Sequence, residues 1–285
     1  MSNNNKNYHV HIDGDVNRWS LNIKDVWQYR DLIILFTKRT MTLTYKQTIL
    51  GPLWLILTPL LTSVVYAAVF QGIAGISTNG VPALLFYLCS HGLWAFYASS
   101  LKRNSTTFLS NANIFGKVYF PRLTISFSTM LTALVEFLIE FAMIFILLLY
   151  YIARGEAHPD WALFVLLPVV ILITGLMGLG LGVLISALTT KYRDLTLLVD
   201  FGVSLWMYAT PVVYPISQLD PMGWMYRIML FNPMTAPMEL FRKIMLGQGQ
   251  LELVSVITTL VFAAFALLVG SLIFNRVERT FIDTV

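Results

Sequence analysis

The chain has 285 residues, of which 57% are hydrophobic, 14% aromatic and only 12% charged, with 19 Lys and Arg against 15 Asp and Glu. A soluble domain carries about 25% charged residues, and a surface this apolar does not stay in water. With a mean hydropathy of +0.70, the composition excludes a soluble enzyme, a disordered chain and a disulfide scaffold, and leaves a multi-spanning helical membrane protein.

The apolar runs are long and unbroken, unlike the short alternating strands of a membrane barrel. The net charge of +4 reads as Lys and Arg gathered on cytoplasmic loops rather than as a nucleic-acid footprint. A single cysteine, Cys89, excludes an internal disulfide and sits in an apolar run, where packing is its ordinary role. His9, His11, His91 and His158 have no partners at zinc-ligand spacing, so no metal site is expected.

In chain order, residues 1–22 form a polar, Asn-rich tail without the apolar core of a signal peptide. Residues 23–52 follow as an amphipathic helix and linker. Val26, Trp27, Ile33, Ile34 and Phe36 alternate there with Lys24, Asp25, Arg30, Asp31, Lys38 and Arg39, and Asn22 is placed to cap the helix. That stretch is too charged to span and too apolar to be solvated, so it lies at the membrane surface. Residues 53–285 hold six expected spans, at 53–73, 83–101, 123–152, 161–189, 195–213 and 251–274. A crossing takes about 20 helical residues, so the third and fourth must tilt or protrude.

Orientation follows from the basic residues. With the N-terminus inside, 15 of the 19 Lys and Arg fall on the cytoplasmic side and 4 (Arg154, Arg227, Arg242 and Lys243) on the outer side. Both termini are therefore expected in the cytoplasm. Between the fifth and sixth spans, residues 214–250 hold two apolar pieces, 222–231 and 236–246, each half the length of a crossing. Pro211, Pro215, Pro221, Pro233 and Pro237 punctuate them. Two short re-entrant outer helices are the expected solution. Arg227, Arg242 and Lys243 in this stretch either meet lipid phosphates or the pyrophosphate of a carrier, or anchor the short helices at the headgroups.

The chain has no phosphate-binding loop of the form G-x-x-x-x-G-K-[ST], so transport would have to draw on an ion gradient or on a separate ATPase. Gly175, Gly178, Gly180 and Gly182 cluster in the fourth span, and Gly178-x-x-x-Gly182 predicts close helix approach, at a mobile interface or in ordinary packing. Glu136 and Glu140, four apart, share one helix face in the third span, and no Lys or Arg within a span is expected to pair with them. They read either as a proton relay or polar path lining, or as protonated structural contacts. Asp200 in the fifth span has the same two readings. The aromatics of the spans serve as interfacial belt and packing or as sliding platforms for sugar rings.

Two stretches carry a family resemblance. The first runs from Arg30-Asp31-Leu32-Ile33 through Arg39 to Tyr45-Lys46-Gln47-Thr48-Ile49-Leu50-Gly51-Pro52-Leu53-Trp54 and Pro59. The second joins Thr210-Pro211-Val212-Val213-Tyr214-Pro215 to Asn232-Pro233-Met234-Thr235 and Glu239-Leu240-Phe241-Arg242. Together they resemble the membrane subunit of ABC-2-type exporters, closest to those exporting O-antigen, teichoic acid and other polysaccharides.

The resemblance implies a homodimer of this chain with two copies of a separate ABC ATPase, which would bind ATP and Mg, in a bacterial cytoplasmic (inner) membrane. It implies a polyprenyl-linked glycan as substrate, with membrane lipids as neighbours. Tyr66, Phe70, Tyr87, Phe96, Tyr97, Tyr208 and Trp54 are the expected path residues. Arg30, Arg39, Asn113, Ile114, Phe115 and Lys117 are the expected ATPase-docking residues, the last four on the cytoplasmic coupling loop 102–122. Pro211, Tyr214, Pro215, Arg227, Asn232 and Arg242 are the expected outer-gate residues. The chain itself would be non-catalytic and hold no cofactor. Export of drugs or lipids by the same class, and a proton-coupled carrier using Glu136, Glu140 and Asp200, are the competing readings. A membrane glycosyltransferase is disfavoured, because no loop is large enough to hold a catalytic domain.

Overall fold

A computed structural model of the protein describes residues 23–46, 48–115 and 120–281. Among these residues it holds eleven α-helices and no strand, in line with the expected all-helical class. The N-terminal tail and Lys117 lie outside the described residues.

Helices α1 (Ile23–Gln28) and α2 (Arg30–Tyr45) precede a helical run whose α-helical part is α3 (Trp54–Tyr66). Pro59 sits inside α3, and the last turns, Ala67–Ile73, widen into a π-helix. Helix α4 (Ala83–Ser105) returns, α5 (Thr107–Phe115) is a short helix in the connection that follows, and α6 (Leu123–Ala153) is the longest helix among the described residues. A 3₁₀ segment, Trp161–Leu166, leads into α7 (Leu167–Thr189), followed by α8 (Leu195–Tyr208). Two short helices, α9 (Trp224–Leu230) and α10 (Thr235–Leu246), come before α11 (Leu253–Phe281).

Four helices among the described residues are long and apolar enough to cross a membrane: Gly51–Ile73, Leu123–Ala153, Trp161–Thr189 and Leu253–Ile273. Their bounds agree closely with four of the six expected spans. The other two differ from the expectation for separate reasons. Helix α4 has the length, 23 residues, but not the apolarity, because Ser90, His91, Ser99, Ser100 and Asn104 interrupt it. It tolerates them by being enclosed in protein, with Tyr87, Leu93, Tyr97 and Leu101 almost wholly buried. Helix α8 has only 14 residues, about 21 Å of length. It stops at Tyr208 because Pro211 cannot donate to a further helical turn.

Helix α4 is the hub, packed between α3, α6, α7, α8 and α10. Its closest neighbour, α7, approaches through the expected glycine pattern. A Cβ on Gly182 would stand 2.6 Å from the Leu101 carbonyl and 2.5 Å from the Asn104 Cβ, and one on Gly178 would stand 2.9 Å from the Tyr97 carbonyl. The opposite face of α7 meets α11 the same way, since a Cβ on Gly270 would stand 2.5 Å from the Gly180 carbonyl. Small residues thus let three backbones stack where apolar burial gives no advantage over lipid. Threonine hydroxyls fasten the C-terminal end of α4 to its neighbours, with Thr189 donating to the Ser105 carbonyl at 2.7 Å and Thr129 to Asn104 Oδ1 at 2.9 Å.

Helix α2 lies along the first turns of α6, where Thr37 donates to the Ser128 carbonyl at 3.2 Å. Its Leu32, Ile33 and Phe36 pack on a cluster formed by Phe108, Phe115, Phe120 and Leu123. The lower part of α6 therefore runs alongside an amphipathic helix, which accounts for its surplus length.

Candidate gate and polar translocation sites

Of the residues expected at the outer gate, Pro211, Tyr214, Pro215, Asn232 and Arg242 meet in one knot, and Arg227 stands apart from it. Glu239 and Arg242 lie three apart on α10, on one helix face, and are 2% and 1% exposed. Arg242 Nη2 donates to Glu239 Oε1 and to the Pro211 carbonyl, both at 2.5 Å, while Nη1 reaches the Tyr214 carbonyl at 3.4 Å. Its guanidinium stands 5.0 Å from the centre of the Phe86 ring at the outer end of α4. Glu239 accepts in turn from the backbone N–H of Ile216 at 3.4 Å and of Gln250 at 3.0 Å. One ion pair thus ties α10 to the exit of α8, the start of α4 and the approach to α11.

Asn232 closes the knot from the side. Its amide donates to the Ala209 carbonyl at 2.7 Å and to Thr210 Oγ1 at 2.9 Å, and its Oδ1 accepts from Met234 N–H at 3.0 Å. The Tyr214 hydroxyl donates to the Tyr208 carbonyl at 3.1 Å. Pro211 and Pro215 are buried in the same turn.

The structure corrects the expectation for Arg242. It is sealed in protein and cannot meet lipid phosphate or pyrophosphate, whereas Arg227 on α9 is exposed and can. The two short helices also differ from each other. Almost every residue of α10 is buried, while α9 exposes Trp224, Met225 and Ile228. Glu239 is the gate residue that single-residue reasoning passed over. The signal was present: opposite charges at i and i+3 in an apolar helix pair with each other.

A second polar site lies between α2, α3, α4 and α6. Arg103, at the inner end of α4, reaches Glu136 with Nη2 2.8 Å from both carboxylate oxygens. The Tyr45 hydroxyl donates to Glu136 Oε1 at 3.1 Å, and burial, then the Glu136 carboxylate, push that hydroxyl up to about 12. The expectation that no Lys or Arg within a span would pair with the acidic residues missed this partner, which comes from just beyond the expected span. Helix α4 continues past the expected span end, and the long Arg103 side chain extends back along it. Four residues on, Glu140 is buried, with Oε1 3.9 Å from His91 Nδ1. Asp200 is not part of this site. Its side chain, 63% exposed on α8, meets Lys102 Nζ at 3.3 Å.

The expected path aromatics divide into two groups. Tyr87, Phe96 and Tyr97 are packed inside the protomer, so they cannot line an open path. The physical reason is the central position of α4, which turns all its faces to protein. Tyr66 and Phe70 are half-buried beside Tyr87, with ring centroids 6.2 Å from it in each case. Trp54 and Tyr208 are exposed, at the N-terminal end of α3 and the C-terminal end of α8. Helix α8 presents an open face in which Asp200, Gly202 and Ser204 mix with Phe201, Leu205 and Tyr208. Helix α11 instead exposes Leu253, Val254, Ile257, Leu260, Val261 and Phe265, a uniformly apolar row suited to lipid.

The docking residues divide as well. Arg30, Arg39 and Asn113 are exposed and Ile114 partly so. Phe115 is buried, its ring 6.0 Å from both Phe108 and Phe120 and 5.1 Å from the Arg122 guanidinium. It is corrected from a contact residue to a packing residue, because α5 must turn one aromatic face inward to hold against α7 and α6.

The chain matches the family described as ABC-2 type transporter over residues 31–246. It belongs to the ABC-2 type transporter family. The matched segment runs from the start of α2 to the end of α10 and so takes in both polar sites. This ABC-2 chain is 28% identical over 226 residues to the O-antigen export system permease protein RfbA of Myxococcus xanthus, covering 78% of this chain and 83% of that protein. It is 27% identical over 258 residues to the protein of the same name from Klebsiella pneumoniae, covering 89% of this chain and 94% of the relative.

Proposed function

We propose that this ABC-2 chain is the transmembrane subunit of an ATP-driven exporter that moves a lipid-linked cell-surface polysaccharide, of O-antigen or teichoic-acid type, out across the bacterial cytoplasmic membrane. The observation that carries this reading is the similarity, over 78% and 89% of the chain, to permeases named for O-antigen export. The mixed open face of α8 supports it, since it leaves a non-lipid surface for a second copy. In this reading two copies of the chain meet around the path, with α8 and α3 lining it. Each copy crosses six times, α4 and α8 completing the count, with both termini in the cytoplasm. The helices α9 and α10 cap the outer side as a re-entrant pair.

Two copies of a separate ABC ATPase, which bind ATP and Mg, dock on the exposed residues of α2 and α5. Arg30, Arg39, Asn113 and Ile114 form that surface, and ATP hydrolysis drives the change that opens the outer knot. Arg227 is placed to meet headgroup or carrier phosphate outside. A proton-coupled carrier is a weaker reading, because Glu136 is already neutralised by Arg103 and Asp200 by Lys102.

Deleting the gene tests the proposal. Surface glycan is expected to disappear while its lipid-linked precursor accumulates inside, and re-expression is expected to restore export. The purified chain alone is expected to hydrolyse no ATP. Unchanged surface glycan after deletion, or ATP turnover without a second polypeptide, overturns the reading.

A further inference from the structure

The crevice between α3, α4 and α6 has a volume of about 270 Å³ and is lined by Trp54, Thr58, His91, Ser99, Glu136 and Glu140, among others. Glu136 in this lining is paired with Arg103, but two other polar atoms of the lining are not paired. Glu140 Oε1 and His91 Nδ1 are buried without a hydrogen-bond partner, on side chains that are 9% and 17% exposed. Glu140 is held there by close packing, since a Cβ on Gly92 would come within 2.9 Å of its Oε1. A further acceptor comes from α3, where Pro59 has no N–H to give the Leu55 carbonyl.

The two orphaned atoms stand 3.9 Å apart. That is too far for a direct hydrogen bond, and an oxygen seated to one side of the pair, about 2.8 Å from each atom, bridges the two. A hydroxyl there donates to Glu140 Oε1 and accepts from the His91 tautomer that carries its N–H on Nδ1. An acyl chain would leave both groups unpaired, and an anion would face Glu140. At the mouth stands the Trp54 indole, 45% exposed, and Phe96 forms an inner wall. Hydroxyls on an edge and C–H groups on a face are what a sugar ring offers to a carboxylate–histidine pair beside an aromatic wall.

We propose that this crevice is a subsite for a single sugar ring, with Glu140 and His91 jointly holding one hydroxyl and Trp54 lying against the C–H face. The proposal rests on the glycan-export reading and adds a place inside each protomer where a sugar pauses. It also gives a use to Glu140, which the Arg103 pair leaves unsatisfied.

The test is photolabelling of the full-length chain in lipid nanodiscs. The probes are octyl glycosides of glucose, mannose, galactose and rhamnose carrying a diazirine in the alkyl chain. For at least one glycoside, adducts are expected on peptides containing residues 54–59 and 91–99, falling at least tenfold with excess unlabelled glycoside. Glu140→Leu and His91→Ala are each expected to reduce the competed labelling at least fivefold. Glu140→Gln, which keeps an acceptor oxygen, is expected to retain more of it than Glu140→Leu. Where Glu140→Leu fails to give monodisperse protein, His91→Ala carries the test.

Absence of competed labelling with all four sugars overturns the subsite, as does labelling unchanged in His91→Ala. Equal labelling by diazirine-bearing octanol or octylamine also overturns it, in favour of a lipid-chain or amine site. Each of these results alongside intact surface-glycan export sinks the subsite and leaves the exporter standing. Competed labelling in a protein whose deletion leaves surface glycan unchanged supports the subsite and sinks the exporter reading.

Discussion

The outer knot and the inner crevice each bury a carboxylate next to a cationic or titratable partner, and they treat it in opposite ways. Glu239 is enclosed by Arg242 and two backbone N–H groups, and Arg242 is fixed in turn by two carbonyls and the Phe86 ring. Only Arg242 Nε lacks a partner there. Glu140 has no hydrogen bond at Oε1 and faces His91 across 3.9 Å. A saturated buried pair locks the segments that carry it, because breaking any bond leaves a charge unpaired. An unsaturated pair is free to take a ligand atom at little cost to the fold. The contrast separates a part of the molecule built to hold its shape until forced from a part built to receive something.

The largest effect is expected at the knot. Arg242→Ala leaves Glu239 buried without its partner, and such a loss costs about 3–5 kcal/mol. Unfolding of the nanodisc-embedded protein by denaturing detergent should show it. The double variant Glu239→Gln with Arg242→Met removes both charges and should recover most of that loss. If the double variant is no better than the single one, the ion pair does not bind the knot together.

Next comes the close packing that holds the crevice's walls. Gly182→Ala drives a methyl into the Leu101 carbonyl and Asn104, and over-packing of this kind costs about 1–3 kcal/mol. On the open face of α8, a Cβ on Gly202 meets nothing within 4 Å. Gly202→Ala should therefore stabilise the helix by up to about 1 kcal/mol, a change of opposite sign in the same unfolding measurement. Destabilisation by Gly202→Ala would show that a second copy or another partner fills that space.

Within the polar site, Glu136→Gln weakens a bidentate bond to Arg103. Hydrogen bonds to charged groups contribute about 1.5–3 kcal/mol, but Arg103 is 34% exposed, so solvent screening reduces the expected loss to about 1 kcal/mol. The smallest effect is expected for Glu140→Gln, within about 0.5 kcal/mol of the parent, since it removes no hydrogen bond at Oε1. A loss at Glu140 equal to that at Glu136 would erase the distinction between a closed and an open carboxylate.

Much of the fold was legible in the chain itself. Apolar runs of spanning length marked Gly51–Ile73, Leu123–Ala153, Trp161–Thr189 and Leu253–Ile273, because lipid demands a continuous apolar helix and leaves that demand in the sequence. The proline-punctuated stretch before α11 announced short helices, and Gly178-x-x-x-Gly182 announced a close approach. Helix α4 was legible as a helix, but its central position was not. A helix enclosed by protein tolerates more polar residues than one facing lipid, and sequence alone does not say which surroundings it has.

The sequence by itself determined that this is a helical membrane protein with a phosphate-loop-free chain, an amphipathic helix ahead of the first span, and two short helices near the end. These follow from local rules, in which composition, helical period and helix-breaking residues act over a few turns. Only the tertiary structure decided which charges meet. Arg103 finds Glu136 across 33 positions, and Arg242 turns inward to Glu239, Pro211 and Phe86 instead of outward to phosphate. It also decided that Phe115, Tyr87, Phe96 and Tyr97 pack inward while Trp54 and Tyr208 stay open. Pairing and burial depend on how distant helices are brought side by side, and the small residues that set those distances carry no label for the partner they will meet.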